Sequence, residues 1–159
     1  NFQISPTTDL VLIFSPFILE YKNLERINKL TLELKVPTFH LGLDNNSYTI
    51  GPIFDSNLDS PTLMCYLARK LSGYDVPNRY LSISNIHERK KIIDFDLLDH
   101  NHFEILINLL AIELEKYLLQ KKYYLIGREI EFDTISLSTN TTKILKVNTP
   151  SNFITPFNI

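Results

Sequence analysis

The order and periodicity of the apolar residues predict an α/β domain with a βαβ unit, a hairpin, a long helix and a C-terminal strand pair. Three observations carry this reading. Asp9-Leu-Val-Leu-Ile-Phe14 is a short unbroken apolar run bounded by Pro6 and by Ser15-Pro16, the pattern of a strand covered on both faces and expected at the centre of a parallel sheet. The next segment switches to helical spacing, with Tyr21, Leu24, Ile27, Leu30 and Leu34 in phase and Glu20, Lys22, Glu25, Arg26 and Lys29 between them, so an amphipathic helix lies on that sheet. Pro37 ends the helix, and Thr38 to Leu43 resembles a second strand. A strand, helix, strand order closes as a right-handed crossover.

The remaining elements follow from turn and cap chemistry. Asp44-Asn45-Asn46-Ser47 tolerates turn geometry, so Tyr48 to Phe54 returns as the second strand of a hairpin. Pro52 cannot donate to a ladder and places an irregularity or an edge near the middle of that strand. Ser60-Pro61 at N-cap and N1, apolar Leu63, Met64, Leu67 and Leu71, and Gly73 beyond them describe a short helix. Pro77, the weakly alternating Tyr80 to Ile86 and the charged run His87 to Lys91 give residues 74–100 the character of a loop-rich connection. From Asn101, with Glu104 in a capping-box position, Phe103, Leu106, Leu109, Leu110, Leu114, Tyr117 and Leu118 form a long helix apolar enough to predict burial on more than one side. Glu129–Leu137 and Lys143–Val147, separated by Ser138 to Thr142, read as the final strand pair, with Ile130, Phe132 and Ile135 on its apolar side.

Composition excludes several classes of function. At 159 residues with 44% apolar and 21% charged residues, the chain is expected to form a single domain over 1–159. A net charge of −2 predicts no general attraction to nucleic acid or to an anionic membrane. One cysteine rules out an intramolecular disulfide and a four-cysteine zinc site, and suits a reducing, cytoplasmic location. No apolar stretch approaches the ~20 residues of a membrane-spanning helix. No signal peptide is visible, and because the chain opens at Asn1 a leading segment is expected to be missing. Gly42, Gly51, Gly73 and Gly127 stand too far apart for a dinucleotide fingerprint or a P-loop.

No residue emerges as catalytic, cofactor-binding or metal-ligating. His100 and His102, two positions apart, cannot share a helix face, and they and His87-Glu88 read as capping or solvent-facing polarity. His40, in a strand, reads as an interior histidine. Cys65 lies among Leu63, Met64 and Leu67, where apolar surroundings make it a small buried hydrophobe, although Arg69 and Lys70 would favour its thiolate. Asp55, Asp59, Asp94, Asp96 and Asp99 lack a nearby phosphate loop, so magnesium coordination finds no support. Arg89-Lys90-Lys91, without interleaved aromatics, reads as a solvated surface. Long loops on a rigid sheet make the 48–59 return and the 74–100 connection the expected docking surfaces.

The order Asp9-Leu-Val-Leu-Ile-Phe14, helix, Pro37-Thr-Phe-His-Leu41, hairpin, Ile50-Gly-Pro-Ile-Phe54, then Ser60-Pro-Thr-Leu-Met-Cys-Tyr-Leu-Ala-Arg69 resembles the ThiF-like, ubiquitin-activating-enzyme-like partner proteins of YcaO cyclodehydratases in bacteriocin and thiopeptide biosynthesis. The resemblance is close over residues 8–73 and looser through Gly127-Arg128 to Pro150. It implies a degenerate Rossmann-like ThiF-type domain. Where many members of that family have Cys-x-x-Cys, this chain has Thr62 and Cys65, and Pro150-Ser-Asn-Phe-Ile-Thr155 stands in place of a second pair. Cys65 is thus the single remnant of a family zinc site, whose place packing around Cys65 and Phe153 would take. What the resemblance implies is a non-catalytic docking subunit, ordinarily preceded by a leader-recognition domain, that presents a precursor peptide to a YcaO enzyme using ATP and magnesium. A homo- or hetero-oligomer is compatible with it, including a dimer through the 101–120 helix. The alternative is an adenylating or sulfur-transfer enzyme with Cys65 as acceptor.

Overall fold

The computed structural model describes residues 4–5, 7–16, 21–44, 47–72 and 100–146. In chain order the elements are β1 (Val11–Pro16), α1 (Tyr21–Leu34), β2 (Thr38–Asp44), β3 (Ser47–Phe54), α2 (Leu63–Ser72), α3 (His100–Leu118), β4 (Arg128–Asp133) and β5 (Ser138–Lys143). The strands form one five-stranded sheet in the order β1-β2-β3-β4-β5. β1 and β2 are parallel through Val11↔Thr38 to Pro16↔Leu43, and every other neighbour is antiparallel. The expected α/β architecture, with its βαβ unit, hairpin, long helix and strand pair, is therefore the one found. No helix among the described residues is long and apolar enough to cross a membrane.

The alternation of side chains sorts the core into two layers. Phe39, Leu41, Tyr48, Ile50 and Ile53 face Leu106, Leu110 and Tyr117 of α3. On the opposite side Ile13 and Phe54 pack with Leu24 of α1 and with Leu63, Cys65, Tyr66 and Leu67 of α2. The helix α1 stops because Lys35 adopts φ 54°. The Lys35 N–H then reaches Leu32 O at 3.3 Å and the Val36 N–H reaches Thr31 O at 2.9 Å, the two bonds of a Schellman cap. Pro37 follows and the chain enters β2.

Two expectations change here, the place of β1 and the start of α2, and the irregularity expected at Pro52 is found without an edge. β1 lies at the end of the sheet among the described residues, not at its centre. Its apolar run reports two covered faces rather than two neighbouring strands, since Val11 and Ile13 pack towards α1 and α2, and Phe14 packs towards α3. Leu12 remains 48% exposed. β3 is interior to the sheet, and its Pro52 is accommodated because the ladder to β4 ends at Ile50↔Ile130 and the register to β2 shifts between Phe39 and Leu41. α2 begins at Leu63 rather than at Ser60, because Thr62 supplies the cap: its Oγ1 accepts the Cys65 N–H at 3.3 Å. Ser60 is used elsewhere.

The long helix and the last hairpin depart further. α3 buries one side, Leu106, Leu110 and Tyr117, whereas Ile105, Ile107, Leu109 and Ile112 are exposed. Its apolar content therefore exceeds what the sheet covers. Residues 138–142, read as the connection, are the strand β5 itself, and the turn is Thr134–Leu137, so Ile135 sits in the turn, 74% exposed, and not on the apolar side of the pair. Asp133 Oδ1 accepts the Ile135 and Ser136 N–H groups at 2.9 and 2.8 Å, and Leu137 takes φ 53°. Serine and threonine there are strand residues of an exposed edge rather than turn formers. The predicted 74–99 connection, the Asn45-Asn46 turn tip and Gly73 lie outside the described residues.

Candidate functional site

The segment joining β3 to α2, residues 55–62, overlaps the 48–59 surface expected to dock partners, and it is fastened at three points. Asp55 is buried at the end of β3. Its Oδ1 accepts the Asn57 N–H at 2.9 Å and Asn57 Nδ2 at 3.0 Å, and its Oδ2 accepts the Tyr117 hydroxyl at 2.7 Å. Burial and then this carboxylate push the Tyr117 hydroxyl far above its ordinary pKa, so it stays a donor. Asn57 Nδ2 also reaches Lys35 O at 3.3 Å, tying the segment to the end of α1. The Ser60 hydroxyl accepts the Asp55 N–H at 2.9 Å and lies 3.0 Å from Asp55 O and 2.9 Å from Pro61 O, its one proton serving one of these carbonyls.

Between this segment and α1 lies a cleft of about 200 Å³. Asn28, Thr31, Thr38, Ser56 and Thr62 supply polar groups to its wall, and Leu32, Val36, Leu58 and Pro61 supply apolar ones. Lys146 stands at it and pairs with Asp59 at 2.6 Å. The Lys146 ammonium, through its hydrogen bond and its charge, holds the Asp59 carboxyl below the usual range.

A second polar cluster lies under α2. His40 is buried in β2, its Nδ1 3.4 Å from Gly51 O and its ring 4.8 Å from that of Tyr66. Burial lowers its pKa to about 4, the Gly51 carbonyl offsetting part of the shift and Lys70 adding to it. His40 is thus the neutral interior histidine expected from its strand position. Lys70 Nζ lies 3.2 Å from buried Glu129 Oε2 and 5.3 Å over the Tyr66 ring. The Glu129 contact is a charge contact rather than a directed hydrogen bond, since Oε2 has no partner in hydrogen-bond geometry.

Cys65 is 4% exposed, with Sγ 3.3 Å from Thr62 Oγ1. Where the family resemblance has a second sulfur, a helix-capping hydroxyl stands. One thiol and one hydroxyl do not supply the donor set of a structural zinc site, which takes four Cys or His ligands. Among the described residues no group of three or more His, Cys, Asp or Glu side chains is placed to hold a metal ion. His87, Glu88, Arg89 to Lys91, Asp94, Asp96, Asp99 and Phe153 lie outside the described residues, as do the side chains of His100 and His102.

Sequence reasoning named Asp55 but missed its link to Tyr117, 62 positions away, and missed the Lys70–Glu129 pair. The available signal was phase: Glu129 falls on the side of β4 opposite Ile130 and Phe132, which pack towards α3.

No family model and no curated protein matches the sequence. Solved structures do. A heterocyclase in complex with substrate and cofactor superposes with TM-score 0.62 at 18% identity, over 88% of this chain and 20% of that one. MccB from E. coli with AMPCPP and MccA gives TM-score 0.64 at 13% identity, over 90% of this chain and 39% of that one. PaaA gives 0.57 at 13% identity, over 87% of this chain and 43% of that one. The chain has the Rossmann-like, ThiF-type fold of these proteins, and it spans between about a fifth and two fifths of their lengths.

Proposed function

We propose that this chain is the degenerate ThiF-like domain of a docking subunit that presents a ribosomal precursor peptide to a YcaO cyclodehydratase for azoline formation. The observation that carries the reading is the start of α2. The Ile50-Gly51-Pro52 stretch of β3 and the Pro61 to Arg69 segment that leads into α2 stand in family order, yet Thr62 and Cys65 are a cap and a buried thiol instead of a metal pair. Fold neighbours whose complexes contain MccA or a heterocyclase substrate support a peptide as the partner. In this reading ATP and magnesium belong to the YcaO enzyme, the setting is cytoplasmic, and this chain raises the local concentration of substrate.

The test is co-purification of the full-length subunit with the adjacent YcaO protein and its precursor. A stable ternary complex is expected, and no association with either partner would overturn the reading. The second reading, an adenylating or sulfur-transfer enzyme with Cys65 as acceptor, requires a reachable thiolate. Burial of Cys65 weighs against it. Slow iodoacetamide labelling of the folded chain and full activity of a Cys65→Ser subunit are expected.

A further inference from the structure

We propose that the outer edge of β5 takes an extended, acidic segment of the presented peptide, which adds to the sheet as a further strand and sets a carboxylate beside Arg128 and Lys143. The inference rests on the peptide-presenting reading above and adds the surface and the charge by which the peptide is held.

The backbone supplies the first observation. β5 is the last strand of the sheet, and the Ile144 N–H donates to Gly127 O at 2.8 Å, in phase with the Arg128↔Lys143 register. Directly opposed residues of an antiparallel pair alternate between bonded and non-bonded, so Ser138, Asn140 and Thr142 face β4 with their N–H and C=O groups. Thr139, Thr141 and Lys143 turn theirs outward, where no backbone group meets them among the described residues. Edges are usually blunted by proline, a bulge or short length. Here the register runs from Arg128↔Lys143 to Asp133↔Ser138 without a shift, β5 has no proline, and its one lysine stands at its end. A row of alternating donors and acceptors fits another extended backbone. A nucleic acid or a membrane offers no matching row.

Side chains then select what that backbone carries. Ile130 and Phe132 pack towards α3, so alternation puts Arg128 on the same side, with Lys143 directly opposite it. Theirs is a non-bonded pair, the closer kind, and like charges directly opposite destabilise a sheet. Lys70, Lys116 and Lys146 each stand against a carboxylate, whereas among the described residues none stands against Arg128 or Lys143. The Tyr124 ring, 5.2 Å from the guanidinium, holds Arg128 without neutralising it. A carboxylate on the added strand would relieve this repulsion. A second copy of β5 would not, because Ser138-Thr-Asn-Thr-Thr-Lys143 carries no acid.

The experiment titrates the intact chain with a short acetylated peptide amide that alternates glutamate with valine, and with its glutamine and lysine counterparts, following backbone amide shifts and hydrogen exchange. The glutamate peptide is expected to shift the Thr139, Thr141 and Lys143 amides and to slow their exchange, less strongly as salt rises. The glutamine peptide should bind roughly fivefold less well, the worth of an exposed ion pair or two, and the lysine peptide less well again. Thr141→Pro removes an outward N–H and leaves the bonds to β4 in place, so it should melt near the wild-type temperature and lose all three peptides. Lys143→Gln keeps the edge and should bring the glutamate peptide down towards the affinity of the glutamine one. Equal binding of the three peptides, protection elsewhere than in β5, or wild-type binding by Thr141→Pro would overturn the inference. So would protection of these amides that rises with protein concentration in the absence of peptide, which would assign the edge to a second copy. Intact precursor separates the two levels: if it binds wild type and Thr141→Pro equally, the β5 edge falls and the docking function stands. If it binds neither while the glutamate peptide binds wild type, the presented peptide is the wrong occupant.

Discussion

The sheet face under α3 is closed by Phe39, Leu41, Tyr48 and Ile50, whereas the face under α1 and α2 buries Thr38, His40, Thr49 and Glu129 beside its apolar residues. The two faces share the same backbone, so the contrast lies in the side chains alone. On the first, shape and volume dominate, with the Tyr117 hydroxyl bonded to Asp55 at its end. On the second, buried polar groups need a partner, and those that have one are placed by it: His40 by Gly51 O and Tyr66, Glu129 by Lys70. Both the cleft and Cys65 belong to this second face.

The largest effect is expected where the contrast is suspended, at Gly51, whose φ of +83° and close approach to β4 serve both faces. A Cβ there would lie 2.6 Å from Arg128 O, a backbone atom that cannot turn aside. Gly51→Ala should cost on the order of 4 kcal/mol, enough to leave little folded protein in a urea titration. Next comes the apolar face. Leu106→Ala should cost ~3 kcal/mol, and Leu106→Met less than about 1.5, because volume is what this face requires. Equal loss in the two variants would show that shape at Leu106 matters as specifically as a partner does under α2.

The polar face should reveal itself by pH. His40 titrates near 4 when folded against 6.5 in its ordinary state, so between these values the unfolded chain binds the extra proton. Stability is then fully present above pH 6.5 and declines as pH falls towards 4, by up to about 3 kcal/mol. Denaturant midpoints measured from pH 7.5 to 4.5 should fall in the wild type and flatten in His40→Gln. An unchanged slope in the variant would assign the loss to other groups. Smaller again is Lys70→Met, which leaves Glu129 buried without its counter-charge. Because the Lys70 side chain is 33% exposed, water shares in the pairing, and we expect ~2 kcal/mol rather than the 3–5 of a fully buried pair.

The same contrast explains what could be read in advance. Periodicity reports burial, so the βαβ unit, the hairpin and α1 were legible from Leu24, Ile27 and the run at 9–14. Caps are ambiguous where hydroxyl residues cluster: Ser60 and Thr62 both qualify by type, and only the Asp55 contacts show that Ser60 is occupied. Residues 138–142 were misread for a related reason, since Ser, Thr and Asn suit a loop as well as an exposed edge strand. The cleft was the least legible. It is assembled from α1, β2, the 55–62 segment and Lys146, a convergence of distant positions that leaves no trace in composition or spacing.

The smallest effect is expected on the outer side of α3. Ile105, Leu109 and Ile112 recur at helical spacing and are 43%, 37% and 48% exposed, so each leaves more than a third of its surface in water in the single chain. Replacing any one by lysine removes little packing, and folding stability should change by no more than about 0.5 kcal/mol. The measurement that sharpens this is the dependence on protein concentration. A monomer would show the same midpoint at micromolar and at hundred-micromolar chain. If the face is covered by a second copy, the wild-type midpoint rises with concentration by mass action and the Ile112→Lys midpoint does not. A flat wild-type response would instead identify the stripe as apolar surface that α3 carries in excess of its contact with the sheet.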